Sequence, residues 1–162
     1  MSRTDPLIIG IGSPWGDDRF GWMVVERLQS MSTMLQSELL TAERGSAELL
    51  QWLQHDRPTL LIDALRSDDQ VGIVKVIERE ALLGEVDAIS SHQIDLRQIL
   101  VLADTLGQLP RRLCLFGVTI DCWEVDAHPS AAIEAVVESI CEAVVAQLTT
   151  WREGYLLNSV SP

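Results

Sequence analysis

The sequence has no apolar run approaching the roughly 20 residues that a helix needs to cross a bilayer, so no membrane-spanning role is expected. The stretch from Met1 to Pro6 has no basic region leading into a long apolar segment, so no secretory signal is read and a cytoplasmic protein is expected. Basic residues are scarce: 12 Lys and Arg stand against 24 Asp and Glu, a formal net charge of −12. Such a chain repels nucleic acid and anionic membranes and favours cationic or metal partners. Acidity that serves only solubility is an equally weighted reading. The three cysteines, Cys114, Cys122 and Cys141, have no C-x-x-C spacing, and an odd count without a secretory signal argues for reduced thiols. H-E-x-x-H is absent, which removes the usual zinc-protease arrangement, and so is the G-x-S-x-G nucleophile elbow. No motif pairs a serine or cysteine with a base, so no covalent intermediate is expected. Repeats, low-complexity tracts and long linkers are lacking too, and residues 1–162 read as a single domain.

What is present is enough apolar material for a core: 47% of the 162 residues are hydrophobic. Short apolar runs alternate with helical stripes. Leu7 to Ile11 is a β-rich run ended by Gly12 and Pro14. Phe20, Met23, Val24, Arg27, Leu28, Met31 and Leu35 follow helical spacing. Leu39 to Glu43 is a weaker strand, and Ser46 to Gln54 a short helix that Ser46 can cap. Thr59 to Ile62 is a continuous apolar run of the kind found in strands buried on both faces. Val71 to Glu78 reads as a strand, Leu82 to Ala88 as a loop or single turn, Ser90 to Leu106 as a helix, and Leu113 to Ile120 as another strand. A long helix runs from about Pro129 to Trp151, with Ile133, Val136, Val137, Ile140, Cys141, Val144, Val145 and Leu148 on its stripe. Cys141 is therefore expected to be a buried structural thiol. Strand–helix alternation implies an α/β fold, three layers α/β/α, with a mainly parallel sheet covered by helices on both faces. Sites in such sheets form at the carboxyl ends of the strands.

That rule selects among the polar residues. Glycines in Gly10-Ile-Gly12-Ser-Pro-Trp-Gly16-Asp17-Asp18 follow the first strand, as in a nucleotide-binding turn. Gly16 lies one place too far for G-x-G-x-x-G, and two aspartates stand where a pyrophosphate wants uncontested N–H donors. No organic cofactor is expected. Asp17 and Asp18 suit helix capping; one aspartate suffices for that, which leaves the other available for chemistry. Asp63 directly follows Leu60-Leu-Ile62 and should share the sheet edge of the first loop, although a turn aspartate would look the same. His92 falls in the first turn of a helix for which Ser90 and Gln93 have capping-box spacing. The positive helix end favours its neutral, metal-ligating ring; an ordinary surface histidine is the alternative. Two carboxylates and one imidazole suit a borderline divalent ion such as nickel, zinc or iron. His55, beside Asp56, reads as solvated, and His128, before Pro129, as a turn residue.

Taken in order, these segments resemble those of the nickel–iron hydrogenase maturation proteases. Gly10-x-Gly12 with Gly16-Asp17-Asp18 and Gly21 is similar to that family's G-x-G-N-x-x-x-x-D-D/E-x-x-G signature. Leu60-Leu-Ile-Asp63-Ala64 is similar to its aspartate-ended strand, and Ser91-His92-Gln93-Ile-Asp-Leu96 to its S-x-H-Q segment. Leu115-Phe-Gly-Val118 and Pro129 match its later strand and final helix opening. The resemblance implies a twisted five-stranded sheet and an endopeptidase that removes a C-terminal extension from a hydrogenase large-subunit precursor after nickel insertion. It carries the family's metal contacts, which are also its candidate catalytic residues, to Asp18, Asp63 and His92. The nickel is expected to arrive in the substrate, and the enzyme to be monomeric. Ser13 replaces the family's asparagine and the first loop is one residue short, which leaves Asp17 as a possible substitute for Asp18. The family's D-G-G segment appears as Glu43-Arg44-Gly45-Ser46, so only Gly45 is carried over as a substrate contact. A nickel-binding accessory protein or chaperone without proteolytic activity is the alternative function.

Overall fold

The computed structural model describes residues 5–31, 35–84, 93–120 and 128–159. Among them, five strands form one sheet in the order β2-β1-β3-β5-β4. These are β1 (Leu7–Gly12), β2 (Glu38–Glu43), β3 (Thr59–Arg66), β4 (Val74–Glu78) and β5 (Leu113–Ile120). β2, β1, β3 and β5 run parallel, and β4 joins the β5 edge antiparallel. The helices are α1 (Phe20–Ser30), α2 (Glu48–Trp52), α3 (Arg79–Leu83), α4 (Gln93–Thr105) and α5 (Ala131–Ser159).

Strand periodicity sorts the core into two layers, because successive side chains point to opposite faces. Ile8 of β1, Leu60, Ile62 and Ala64 of β3, and Cys114, Phe116 and Val118 of β5 meet α1 and α5 on one face. Leu7, Ile9, Leu61, Leu65, Leu113 and Leu115 meet α2, α3 and α4 on the other. This is the expected three-layer arrangement, and it explains why the central strands read as continuous apolar runs. Phe20, Val24 and Leu28 give α1 a fully buried stripe. Each such side chain contributes about 1.5–3 kcal/mol by leaving water.

Several elements differ from their sequence patterns. α1 stops at Ser30, and Leu35, expected on its stripe, is buried in the core from beyond the helix. Residues 79–83 form the helix α3, which takes in Leu82 and Leu83 of the stretch Leu82 to Ala88 expected as a loop or single turn; residues 85–88 of it lie outside the described residues. β4 begins at Val74, three residues after Val71, because Gly72 takes a φ of 88°. α5 extends past Trp151 to Ser159. Cys114 and Cys141 are buried free thiols, and Cys141 lies on the stripe of α5 as expected. Cys122 lies outside the described residues. Glu138 of the acidic α5 face is engaged by both Arg27 Nε, at 2.8 Å, and Arg27 Nη2, at 3.0 Å.

Chain order and strand order diverge at one place. β1 is flanked by β2 and β3, so the chain leaves it to one side and returns on the other. At this switch point the carboxyl ends of neighbouring strands splay and leave a crevice. Pairing of β1 with β3 ends at Gly10–Ile62, while β3 continues beside β5 from Asp63 to Arg66.

Candidate active site

The glycines of the first loop serve close packing. A Cβ on Gly10 would lie 2.2 Å from the Gly21 carbonyl oxygen, and one on Gly21 would lie 2.3 Å from Ile11 O and 2.6 Å from Ile62 O. The start of α1 is therefore wedged into the split between β1 and β3. Gly12 gives the same room to the Asp18 carbonyl, which a Cβ would approach to 2.2 Å. That carbonyl accepts the Ser13 N–H at 3.3 Å and closes the loop. The loop turns through a 3-10 segment, Gly16–Arg19, with Gly16 at a φ of 51°.

Neither aspartate of this segment caps it or α1 through its side chain. Asp17 instead accepts the backbone N–H of Ser130 at 2.6 Å and the Ser130 hydroxyl at 3.1 Å. It thereby docks the first loop on the amino end of α5. Asp18 turns the other way and is 3% exposed.

Asp63 is fully buried on β3. It lies within the strand, three residues short of its end, where an edge position was expected. The edge it does occupy is that of β1, since it is the first β3 residue beyond the β1 pairing. Opposite it on β5 stands Gly117. Asp63 and Asp18 therefore both reach the switch-point crevice, as the strand-end rule predicts.

A third residue joins them. Arg44 Nη2 donates to Asp18 Oδ1 at 2.5 Å and to Asp63 Oδ1 at 2.7 Å, while Nη1 donates to Asp63 Oδ2 at 3.1 Å. One guanidinium thus forks onto Asp63 and bridges both carboxylates. Arg44 sits in a tight turn after β2, where Ser46 N–H donates to Glu43 O at 3.1 Å and Gly45 takes a φ of 72°. Glycine suits position 45, because a side chain is strained at that φ. Its backbone is pinned, since Arg44 N–H donates to Gly12 O at 3.2 Å and Trp22 Nε1 donates to Ala42 O at 3.1 Å. α2 is shorter than the expected Ser46–Gln54 and its N-cap is Ala47, so Ser46 lies one residue before the cap, where its hydroxyl accepts the Glu48 N–H at 3.2 Å.

Burial sets the electrostatics. Loss of water raises the Asp63 carboxyl to about 7, against the pull of the Arg44 guanidinium, and nearby Asp18 adds to the rise. Desolvation opposes the charge on Arg44, but attraction by Asp63 and Asp18 outweighs it and holds the guanidinium above its ordinary value. The two carboxylates converge on one cation. Their oxygens are a donor set that a divalent ion also accepts, so the pair fits a metal as well as a guanidinium.

In the sequence Arg44 stands only within the divergent segment Glu43-Arg44-Gly45-Ser46 and is not singled out. A physical signal was nonetheless available: two aspartates expected at one buried edge need a countercharge, and Arg44 is the basic residue of an adjoining loop. His92 and Ser90, the expected cap of its helix, lie outside the described residues. Among the described residues no three His, Cys, Asp or Glu side chains group as metal ligands. His55 Nδ1 lies 3.3 Å from Asp56 Oδ1, and His128 is exposed. Two residues past Asp63 the surface opens into an apolar groove of about 420 Å³, lined by Leu65, Val76, Ile77, Leu82, Leu96 and Leu100.

Such a sheet, with a carboxylate pair at its switch point, defines an α/β protein with a candidate site at the carboxyl ends of its strands. The family model for hydrogenase maturation proteases matches residues 22–147, and the chain belongs to that family of processing endopeptidases. It is 29% identical over 153 residues to the hydrogenase expression/formation protein HupD of Rhizobium leguminosarum bv. viciae, covering 90% of this chain and 74% of that one. It is 26% identical over 146 residues to the hydrogenase 2 maturation protease of Escherichia coli K12, covering 88% and 89%. In structure it resembles the hydrogenase maturating endopeptidase HybD from E. coli with a TM-score of 0.75, at 24% identity, covering 90% of this chain and 93% of that one. Among the described residues no helix is long and apolar enough to cross a membrane.

Proposed function

We propose that this protein cleaves the C-terminal extension from a nickel–iron hydrogenase large-subunit precursor once nickel has been inserted, and that it reads the nickel directly. The observation carrying this reading is the convergence of Asp18 and Asp63 on a single cation at the switch point. Nickel here is part of the substrate, held by the precursor's own thiolates. Asp18, Asp63 and His92 complete its coordination, with Asp17 turned away to α5. Bound in this way, the metal supplies Lewis-acid chemistry at the scissile carbonyl or at a water.

The chain's residues do the rest. The crevice walls exclude solvent and hold the carboxylates at fixed separation, so docking orients the peptide bond to be cut. Gly45, exposed at the rim, offers backbone without a side chain to the substrate, and the apolar groove beyond Asp63 offers a seat for its side chains. The buried thiols Cys114 and Cys141 stand apart from this crevice, in the α1–α5 layer, so neither has a part in this reading.

The test is processing of a nickel-loaded precursor beside the metal-free precursor, read by mass spectrometry. Cleavage of the loaded form only is expected. Equal cleavage of both sinks the nickel checkpoint, and a precursor whose length never changes favours a non-proteolytic accessory role. Asp63→Asn and His92→Gln should each abolish processing.

A further inference from the structure

We propose that Arg44 is a displaceable internal cation that holds the metal-reading site closed until a substrate-borne metal takes its place. This rests on the reading that Asp18 and Asp63 receive a metal. It goes beyond that reading by assigning a role to Arg44, which the sequence does not single out as a site residue.

Three observations carry it. The guanidinium engages three of the four carboxylate oxygens of Asp18 and Asp63. A metal bound by the same oxygens needs those lone pairs, so the two occupants exclude each other. Next, the site is buried: Asp18 and Asp63 side chains are 5% and 0% exposed and Arg44 is 14% exposed. A divalent ion entering beside an undisplaced guanidinium would meet like-charge repulsion with little screening. Last, Arg44 is placed to leave. Its backbone is anchored to Gly12, but the residue sits in a surface turn, and rotation about its own side-chain bonds withdraws the head group without moving a strand.

The arrangement separates free metal from presented metal. A free aquo ion must break three charge-assisted hydrogen bonds and lose its water for two carboxylates. A metal already stripped of water by precursor ligands arrives with the peptide contacts of the substrate, and their binding energy offsets the displacement. Arg44 thus makes the free enzyme a poor chelator while leaving the docked complex able to form.

The experiment is calorimetric titration of the purified full-length protein with Ni²⁺ alone, with native fold verified by circular dichroism. Wild type should bind weakly. Arg44→Gln should bind at least about tenfold more tightly, and a second substitution, Asp63→Asn, should erase the gain. Unchanged or weaker binding by Arg44→Gln overturns the proposal, as does a gain that survives Asp63→Asn. Should Arg44→Gln not fold, Arg44→Lys puts the same question. It keeps the charge but lacks the two-pronged fork, so Ni²⁺ should still bind more tightly than to wild type. Affinity no better than wild type overturns the proposal. Processing is not the readout, so a failure here leaves the nickel-checkpoint function standing, and a checkpoint failure leaves the affinity result standing.

Discussion

Asp17 accepts both the N–H and the hydroxyl of Ser130, at 2.6 Å and 3.1 Å, while its neighbour Asp18 turns into the Arg44 bridge. Adjacent aspartates thus do different work: one joins the first loop to the final helix, the other faces the crevice. Replacing Asp17 with alanine removes a cap-like interaction and should cost about 1–2 kcal/mol in urea unfolding, with precursor processing continuing. Asp18→Asn should leave the fold intact and stop processing. The reverse pattern would assign the metal contact to Asp17.

Arg44 should matter to stability in a pH-dependent way. Removing one member of a buried ion pair costs about 3–5 kcal/mol when its partner stays charged. Asp63 is raised by burial to about 7, from an ordinary 3.8, so the folded state holds its proton more tightly than the unfolded chain does. Stability from this group therefore falls as pH rises from about 4 to about 7. Without the guanidinium, Asp63 should titrate higher still and the fall should continue to higher pH. Thermal melts of Arg44→Met against wild type should show a large gap at pH 8 that narrows towards pH 5. A gap independent of pH would mean that Arg44 contributes through packing alone.

The packing glycines should be intolerant of a single methyl group. Gly10→Ala and Gly21→Ala drive a Cβ into backbone at 2.2 Å and 2.3 Å, which a side-chain rotation does not relieve. Each should cost about 3 kcal/mol or more. Gly84→Ala, whose Cβ would meet nothing nearer than 3.6 Å, is the matched control and should be near neutral. Chemical denaturation of the three variants distinguishes them.

The two buried thiols should be inert. Burial pushes Cys114 up to about 12 and Cys141 up to about 11, so little thiolate exists at pH 8. Peptide mapping after iodoacetamide treatment should find both unmodified in the native protein and alkylated after denaturation. Native alkylation of Cys141 would contradict its packing against α1, where its sulfur lies 4.0 Å from Val24 O.

Much of this protein was legible in its sequence, because its strongest signals are local. Continuous apolar strands, the regular stripe of α5 and the placing of aspartates after strands all follow from periodicity, and they yield the layers and the sheet edge without coordinates. Ser30 as the end of α1 was not legible, since Leu35 is apolar for a core contact made from outside the helix. Nor was the division of labour between Asp17 and Asp18, which depends on Ser130, 113 residues away. Arg44 is the sharpest case. In the sequence it is a basic residue in the turn after a weak strand; its meaning lies in two carboxylates 26 and 19 positions away that only the strand order β2-β1-β3 brings to one crevice. The sequence by itself determined the α/β class and the candidate aspartates, because side-chain periodicity and turn chemistry are written over a few residues. Tertiary structure alone decided that the aspartates share a cation, because a buried charge takes its partner from whichever strand end the fold places beside it.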